Sequence, residues 1–480
     1  MRLDRLAGPR VRCTAAHAAL VLAIALGAAV TYTLAFGTGL RPGWIAADAV
    51  LLALCGLALH RWRADLGFSS LGRHRGRRLA LLAAVALGVT LLSHWIVPHR
   101  AGLWLDETQY LEMARRGELV RHGVAPFSVR WLVPFLAGRW NVLPVDEAGA
   151  LAALSFAGLV VSGVFVGLLL VRLRVRFALA LTAPLVLACS YLGEYAAFNR
   201  ALIDPFNYAM FALLLHCLLR REHLGWFAAL LLLAAFNSEK AILWIPLVPL
   251  MLLAQEPGRW TRARWRAALG LAARACAPAL LYTVAIQLYA APARAELSPC
   301  LPLLHHLSFS ALHPSLTGSC AEGGSFQTLW FPFGAFTVFA LLGLVRCEPR
   351  LRPLALLLVA VFLQTLAATD TERMLAYSFI VYLPLGYVYL ERAAAELPGR
   401  LARGLLIGFF LLLPLMHYGV PTIQRLNEAM TTYRLAIPTR ALRMAFSALE
   451  VVLVGALIYL HVALRPGGEV KVEPPPSDLR

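Results

Sequence analysis

Apolar runs of helix-forming length recur along almost the whole chain, separated by short segments that hold most of its charge. A helix rises 1.5 Å per residue and a bilayer core is about 30 Å thick, so about 20 such residues suffice to cross it. The runs predict helices over approximately 15–37, 44–60, 79–97, 149–171, 177–197, 205–219, 224–236, 241–254, 270–291, 329–345, 353–369, 374–390, 404–417 and 442–464. The fold expected is an all-α polytopic integral membrane protein with about 12–14 transmembrane helices. Two runs, 224–236 and 241–254, reach only about 20 Å each. They read either as short or tilted spans, or as a re-entrant pair that carries "NSEK" below the surface.

The first run follows "MRLDRLAGPRVR", exceeds a signal-peptide core in length and has no convincing cleavage site, so it reads as a retained anchor. With that end in the cytosol, alternation puts segments 98–148, 198–204, 237–240, 292–328, 370–373 and 418–441 on the non-cytoplasmic face. Two of these are long, and long ordered loops tend to carry function. The organisation expected is N-terminal spans over 1–97, a non-cytoplasmic loop with interfacial helices over 98–148, and a core bundle over 149–391 that includes the loop 292–328. C-terminal helices follow over 392–464, then a cytoplasmic tail over 465–480.

Charge changes the picture by its distribution. The net charge of +18 is one that nucleic-acid-binding proteins share. In the segments assigned to the cytoplasm, however, Lys and Arg outnumber Asp and Glu roughly three to one, against near parity outside, which is the positive-inside asymmetry. Nucleic acid is therefore not an expected partner. Only 15% of residues are charged and mean hydropathy is +0.70, far from a soluble composition. Richness in arginine and alanine points to a bacterial plasma membrane, with both termini inside. The eight cysteines form no CxxC or zinc spacing. Cys300 and Cys320 share an outside loop, where they stand either as a disulfide or as two thiols. His305 and His306 lie in that loop and read as histidines without a task.

Against this background "GLWLDETQYLEMARRGELV" stands out. Asp106 followed by Gln109 fits a helix N-cap with its capping-box partner, and Glu107 would favour the positive helix end. The helix expected from Glu107 to about Val120 carries Tyr110, Met113, Ala114 and Gly117 along one side and suits the membrane interface. Other ionisable clusters share its face of the membrane: Arg200 and Asp204 in "NRALIDPF", Glu239 and Lys240 in "FNSEKAILW", Asp370, Glu372 and Arg373 in "ATDTERMLAYSF". Charge at the end of an apolar helix is costly unless it faces a cavity or a partner, so four such clusters suggest one polar pocket. Taken singly, each also reads as a solvated helix end or an ion pair, Arg200–Asp204 at i, i+4 above all. In "APFSVRWLVPFLAGRW", Arg139 suits snorkelling, and Arg130 either that or a lipid phosphate.

The order of these features resembles the polytopic glycosyltransferases of the GT-C type, which use polyprenyl-phosphate-linked sugars. The stretches that carry the resemblance are "LDETQYLEMA", "PFSVRWLVPFLAG", "ALIDPFNYAMFALLL", "FNSEKAILWIPLVPL" and "TDTERMLAYSFIVYLPL", between about residues 100 and 390. In that family the acidic motif follows the first span; here it follows the third, as two added N-terminal spans would produce. The resemblance implies transfer of a sugar from the lipid carrier to a lipid or glycan acceptor on the outer face, with inversion at the anomeric carbon. Asp106, with Glu107, falls on the acidic motif, and Arg130 and Arg373 on the weaker matches.

Such a transfer needs a carboxylate to take the acceptor's proton and cations to meet the departing phosphate. Asp106 is the expected base, tuned by Glu107. Lys240 and Arg373, then Arg130 and Arg200, are the expected phosphate partners, with Tyr110, Glu239 and Asp370 completing the site. Asp106 and Glu107 are also a ligand type for Mg²⁺ or Mn²⁺. The alternative is a multi-span transporter or lipid flippase, for which intramembrane charges would mark the path.

Overall fold

The computed structural model describes residues 9–36, 74–97, 105–116, 130–138, 145–219, 223–255, 261–290, 336–346, 351–365 and 376–397, with isolated positions between 50 and 71 and between 399 and 452. Among them no strand occurs, and the helical class expected from the apolar runs holds. The expected span 44–60, the loop 292–328 with its cysteines and histidines, and the C-terminal span and tail lie outside the described residues or almost wholly so.

The helices are α1 (Pro9–Phe36), α2 (Arg75–Ile96), α3 (Leu105–Arg116), α4 (Leu132–Gly138), α5 (Glu147–Arg172), α6 (Phe177–Ala180), α7 (Ala183–Ala188), α8 (Tyr191–Phe198), α9 (Asp204–Leu218) and α10 (Leu224–Asn237). A 3₁₀ helix over Glu239–Trp244 leads to α11 (Leu247–Ala254), followed by α12 (Arg262–Ala290), α13 (Phe336–Arg346), α14 (Leu354–Thr365) and α15 (Phe379–Glu396). Three of them, α2, α5 and α12, are long and apolar enough to cross a membrane. A fourth is added if α6–α7 and α8, bent by 46°, make one span. The bend falls between Ala188 and Tyr191, where Ser190 Oγ donates to the Leu187 carbonyl at 2.6 Å and competes with the helical ladder.

Helix α5 is the axis. Of its apolar stretch 94% is buried, against 22% for α2 and 28% for α12, and α1, α2, α7, α9 and α15 pack around it. Small residues permit this. A β-carbon on Gly158 would lie 2.4 Å from the Pro205 carbonyl, so only glycine lets α9 approach. Asp146 caps the axis by accepting from the Gly149 amide at 2.8 Å. Its other end closes with the Val175 amide on the Leu170 carbonyl (3.0 Å) and the Arg174 amide on Val171 (3.1 Å), which is a Schellman turn. That turn forces Arg174 to φ +67°, where glycine is usual.

Side-chain bonds mark two ends of the bundle. At one, Arg172 Nη1 donates to the His216 carbonyl (2.9 Å), Gln255 Nε2 donates to the Leu218 carbonyl (2.5 Å), and Arg176 pairs with Glu391. At the other, Phe156 packs against Tyr32 and His94, and Asp204 meets Lys240. These contacts settle how 224–254 runs. Lys240 lies level with the start of α9 and Gln255 level with its end, so the second limb covers the depth of α9, about 22 Å for 15 residues. The second limb thus runs the length of α9 inside the bundle.

Candidate functional site

Helix α3 buries Glu107, Tyr110, Leu111, Met113 and Ala114, at the three- and four-residue spacing of one helical face. Because Leu105 and Asp106 already belong to the helix, Asp106 stands within its first turn and does not precede it, which corrects the N-cap expectation. The docking is close: a β-carbon on Gly138 of α4 would overlap the Ala114 carbonyl at 1.8 Å. Glu107, 2% exposed, accepts from the Ala201 amide at 2.9 Å and so ties α3 to the turn before α9.

From Tyr110 a polar layer runs across the bundle. Arg130 Nη1 donates to the Tyr110 hydroxyl at 3.2 Å. The same guanidinium closes a fork on Glu239, with Nε donating to Oε2 at 3.0 Å and Nη2 to Oε1. Burial alone would push the Glu239 carboxyl up; the Arg130 guanidinium and the nearby Lys240 ammonium more than offset this and hold it at about 2. Lys240 Nζ donates to Asp204 Oδ1 at 2.9 Å and sits 4.3 Å from the centre of the Tyr377 ring. The Tyr377 hydroxyl donates to the same Asp204 oxygen at 2.6 Å and accepts from Asn207 Nδ2 at 3.1 Å. Asn237 Nδ2 donates to Asn207 Oδ1 at 2.8 Å, while Asn237 Oδ1 accepts from the Val133 amide at 3.3 Å. Lys240 and Asp204 are each 1% exposed and Arg130 5%, so water does not share these charges. An indole completes the edge: Trp131 Nε1 donates to the Tyr282 hydroxyl at 2.6 Å beside Phe236.

Of the expected site residues, then, Glu107, Tyr110, Arg130, Glu239 and Lys240 meet at one end of the bundle. Asp106 lies half-buried one residue before Glu107. Arg200, also half-buried, hydrogen-bonds Tyr32 of α1. The expected Arg200–Asp204 pair is replaced: α9 begins only at Asp204, so the two do not share a helical face, and Asp204 is taken by Lys240 and Tyr377. Asp370 and Arg373 lie outside the described residues, as does Arg139. Among the described residues no group of three or more His, Cys, Asp or Glu is placed to hold a metal ion.

Sequence reasoning missed Asn207, Asn237, Tyr377 and Tyr32. A signal for the first existed: Asn207 falls three residues after Asp204 on a helix otherwise apolar, and a polar residue there needs a partner inside the bundle. Tyr377 carried no such mark, since tyrosines are common at the ends of apolar helices. No protein-family model matches this chain, and no curated protein matches it.

Proposed function

We propose that the protein is a bacterial plasma-membrane glycosyltransferase that moves a sugar from a polyprenyl-phosphate carrier to a lipid or glycan acceptor at the non-cytoplasmic face. The observation that carries this reading is the fixing of the acidic turn of α3, through Glu107 and Tyr110, over a layer of charge drawn from three further segments, at Arg130, at Asp204 and at Glu239 with Lys240. Insertion in lipid is supported by the bare apolar surface of the outer helices, with Leu281 and Leu288 each 70% exposed and Trp95 76%.

In the proposed reaction the acceptor hydroxyl gives its proton to Asp106 while its oxygen attacks the anomeric carbon. The bond from that carbon to the phosphate oxygen breaks, the electron pair leaves with polyprenyl phosphate, and the centre inverts. Glu107 does not take part in proton transfer; it anchors the helix that presents Asp106. Arg130 and Lys240 are each closed on a carboxylate, and opening either pair to hold a phosphate would strand a buried charge. They are assigned as positioning residues, and Arg200, at the half-buried edge, as the phosphate partner.

The transporter reading draws on one observation, the Lys240–Asp204 pair inside an apolar bundle, the kind of group that marks an ion path. Purified protein supplied with polyprenyl-phosphate sugar and candidate acceptors separates the two, since a transporter releases no polyprenyl phosphate. The Asp106→Asn variant is expected to lose transfer by at least a hundredfold while keeping its thermal stability. Undiminished transfer in that variant removes the base assignment.

A further inference from the structure

Among the described residues, helices α1 and α2 border a groove of about 360 Å³, lined only by apolar side chains and glycines and floored by Val160 of α5. The α2 side runs from Gly76 to Leu87, and the α1 side includes Leu20 and Gly27. The twelve residues of α2 from Gly76 to Leu87 span about 17 Å, close to half of a bilayer core of about 30 Å. The groove thus has the length of one leaflet, and its small residues (Gly76, Ala80, Ala83, Ala84) give it a depth that a flush helix pair would lack.

What should fill it is indicated by its mouth. Gly76 stands between Arg75 and Arg77, both exposed at the basic end of the bundle, whereas Arg78 is drawn aside, its Nη1 donating to the Leu71 carbonyl at 2.9 Å and its guanidinium 5.2 Å from the centre of the Phe177 ring. Two exposed arginines therefore flank, in sequence, the residue at the end of this apolar groove. We propose that this groove binds an anionic diacyl phospholipid of the cytoplasmic leaflet, one acyl chain between α1 and α2 and the headgroup phosphate on Arg75 and Arg77. The proposal rests on the membrane placement argued above, with the Arg75 end in the cytosol, and not on glycosyl transfer.

Native mass spectrometry of the full chain in detergent, titrated with dioleoylphosphatidylglycerol or dioleoylphosphatidylcholine, tests it. The wild type should retain the anionic lipid about tenfold better than the zwitterionic one. The double substitution Arg75→Ala/Arg77→Ala should erase that preference, while Ala83→Phe, which fills the channel, should lower retention of both lipids. Gly27→Leu fills it from the α1 side and guards against misfolding of the first variant. Equal retention of the two lipids by the wild type overturns the proposal, as does retention unchanged in both filling variants. A dimer that the filling variants abolish assigns the groove to a second copy and overturns it too. Recovery of the chain from cells in the soluble fraction would remove the membrane placement itself. Asp106→Asn should bind lipid like the wild type, so loss of transfer and loss of lipid remain separate results.

Discussion

The two ends of the bundle each join a basic to an acidic side chain, under opposite conditions. At the basic end Arg176 bridges Glu391 with the arginine side chain 56% exposed and the carboxylate 21%. At the other end Lys240 bridges Asp204 with 1% and 2% exposed. In the first case water screens both partners and would solvate either alone. In the second neither has been left a solvent to return to, so each is tolerable only because the other is there. An ion pair on the surface decorates a fold, whereas one in the interior makes two segments conditional on each other.

The sharpest way to break this contrast is to remove one buried partner. Lys240→Met should destabilise the protein by about 3–5 kcal/mol, the typical cost of an unpaired buried charge. Adding Asp204→Leu to it should recover most of the loss. Thermal unfolding in detergent reads both, and a double variant no better than the single would show that the pair is not the unit. Acid sharpens the comparison next. Glu239 titrates in the fold at about 2, below its ordinary range. Its contribution is therefore complete above that ordinary range and is lost as pH falls through about 2. The loss should be on the order of 3 kcal/mol, and Glu239→Gln should flatten the stability profile over that interval. At the other end Glu391→Ala should cost no more than about 1 kcal/mol, and less at high salt. Smallest, and of opposite sign, Arg174→Gly should stabilise by about 0.5–1 kcal/mol, since glycine takes the left-handed turn without strain. A destabilised Arg174→Gly would mean that the arginine makes a contact worth more than its backbone cost.

The same contrast explains what could be read in advance. Apolar runs and the bias of basic residues located most helix segments, because membrane depth and loop charge are properties of composition. They also put residues 106–107, 130, 204 and 239–240 on one face, where Glu107, Arg130, Asp204, Glu239 and Lys240 now meet. Pairing was another matter. Arg200 and Asp204 are four apart in sequence, but the turn between them is not helical, and Lys240, 36 residues on, supplies the partner. Asp106 read as a cap because cap signals are local, while the first turn of α3 is tied down from a distance, by the Ala201 amide on Glu107. The depth of 224–254 stayed open in the sequence because two short apolar runs fit a hairpin of either kind. The contact of Gln255 with the Leu218 carbonyl shows that the second limb reaches the far end of α9.

The order of synthesis gives the Asp204 knot a history. Asp204 leaves the ribosome 36 residues before Lys240 and 173 before Tyr377, yet in the finished molecule one of its oxygens holds both. Under the membrane placement proposed above, the segment that begins with this carboxylate has to be sheltered in an aqueous or proteinaceous setting until the later pieces arrive. Assembly of this region is a matter of waiting as much as of partitioning into oil.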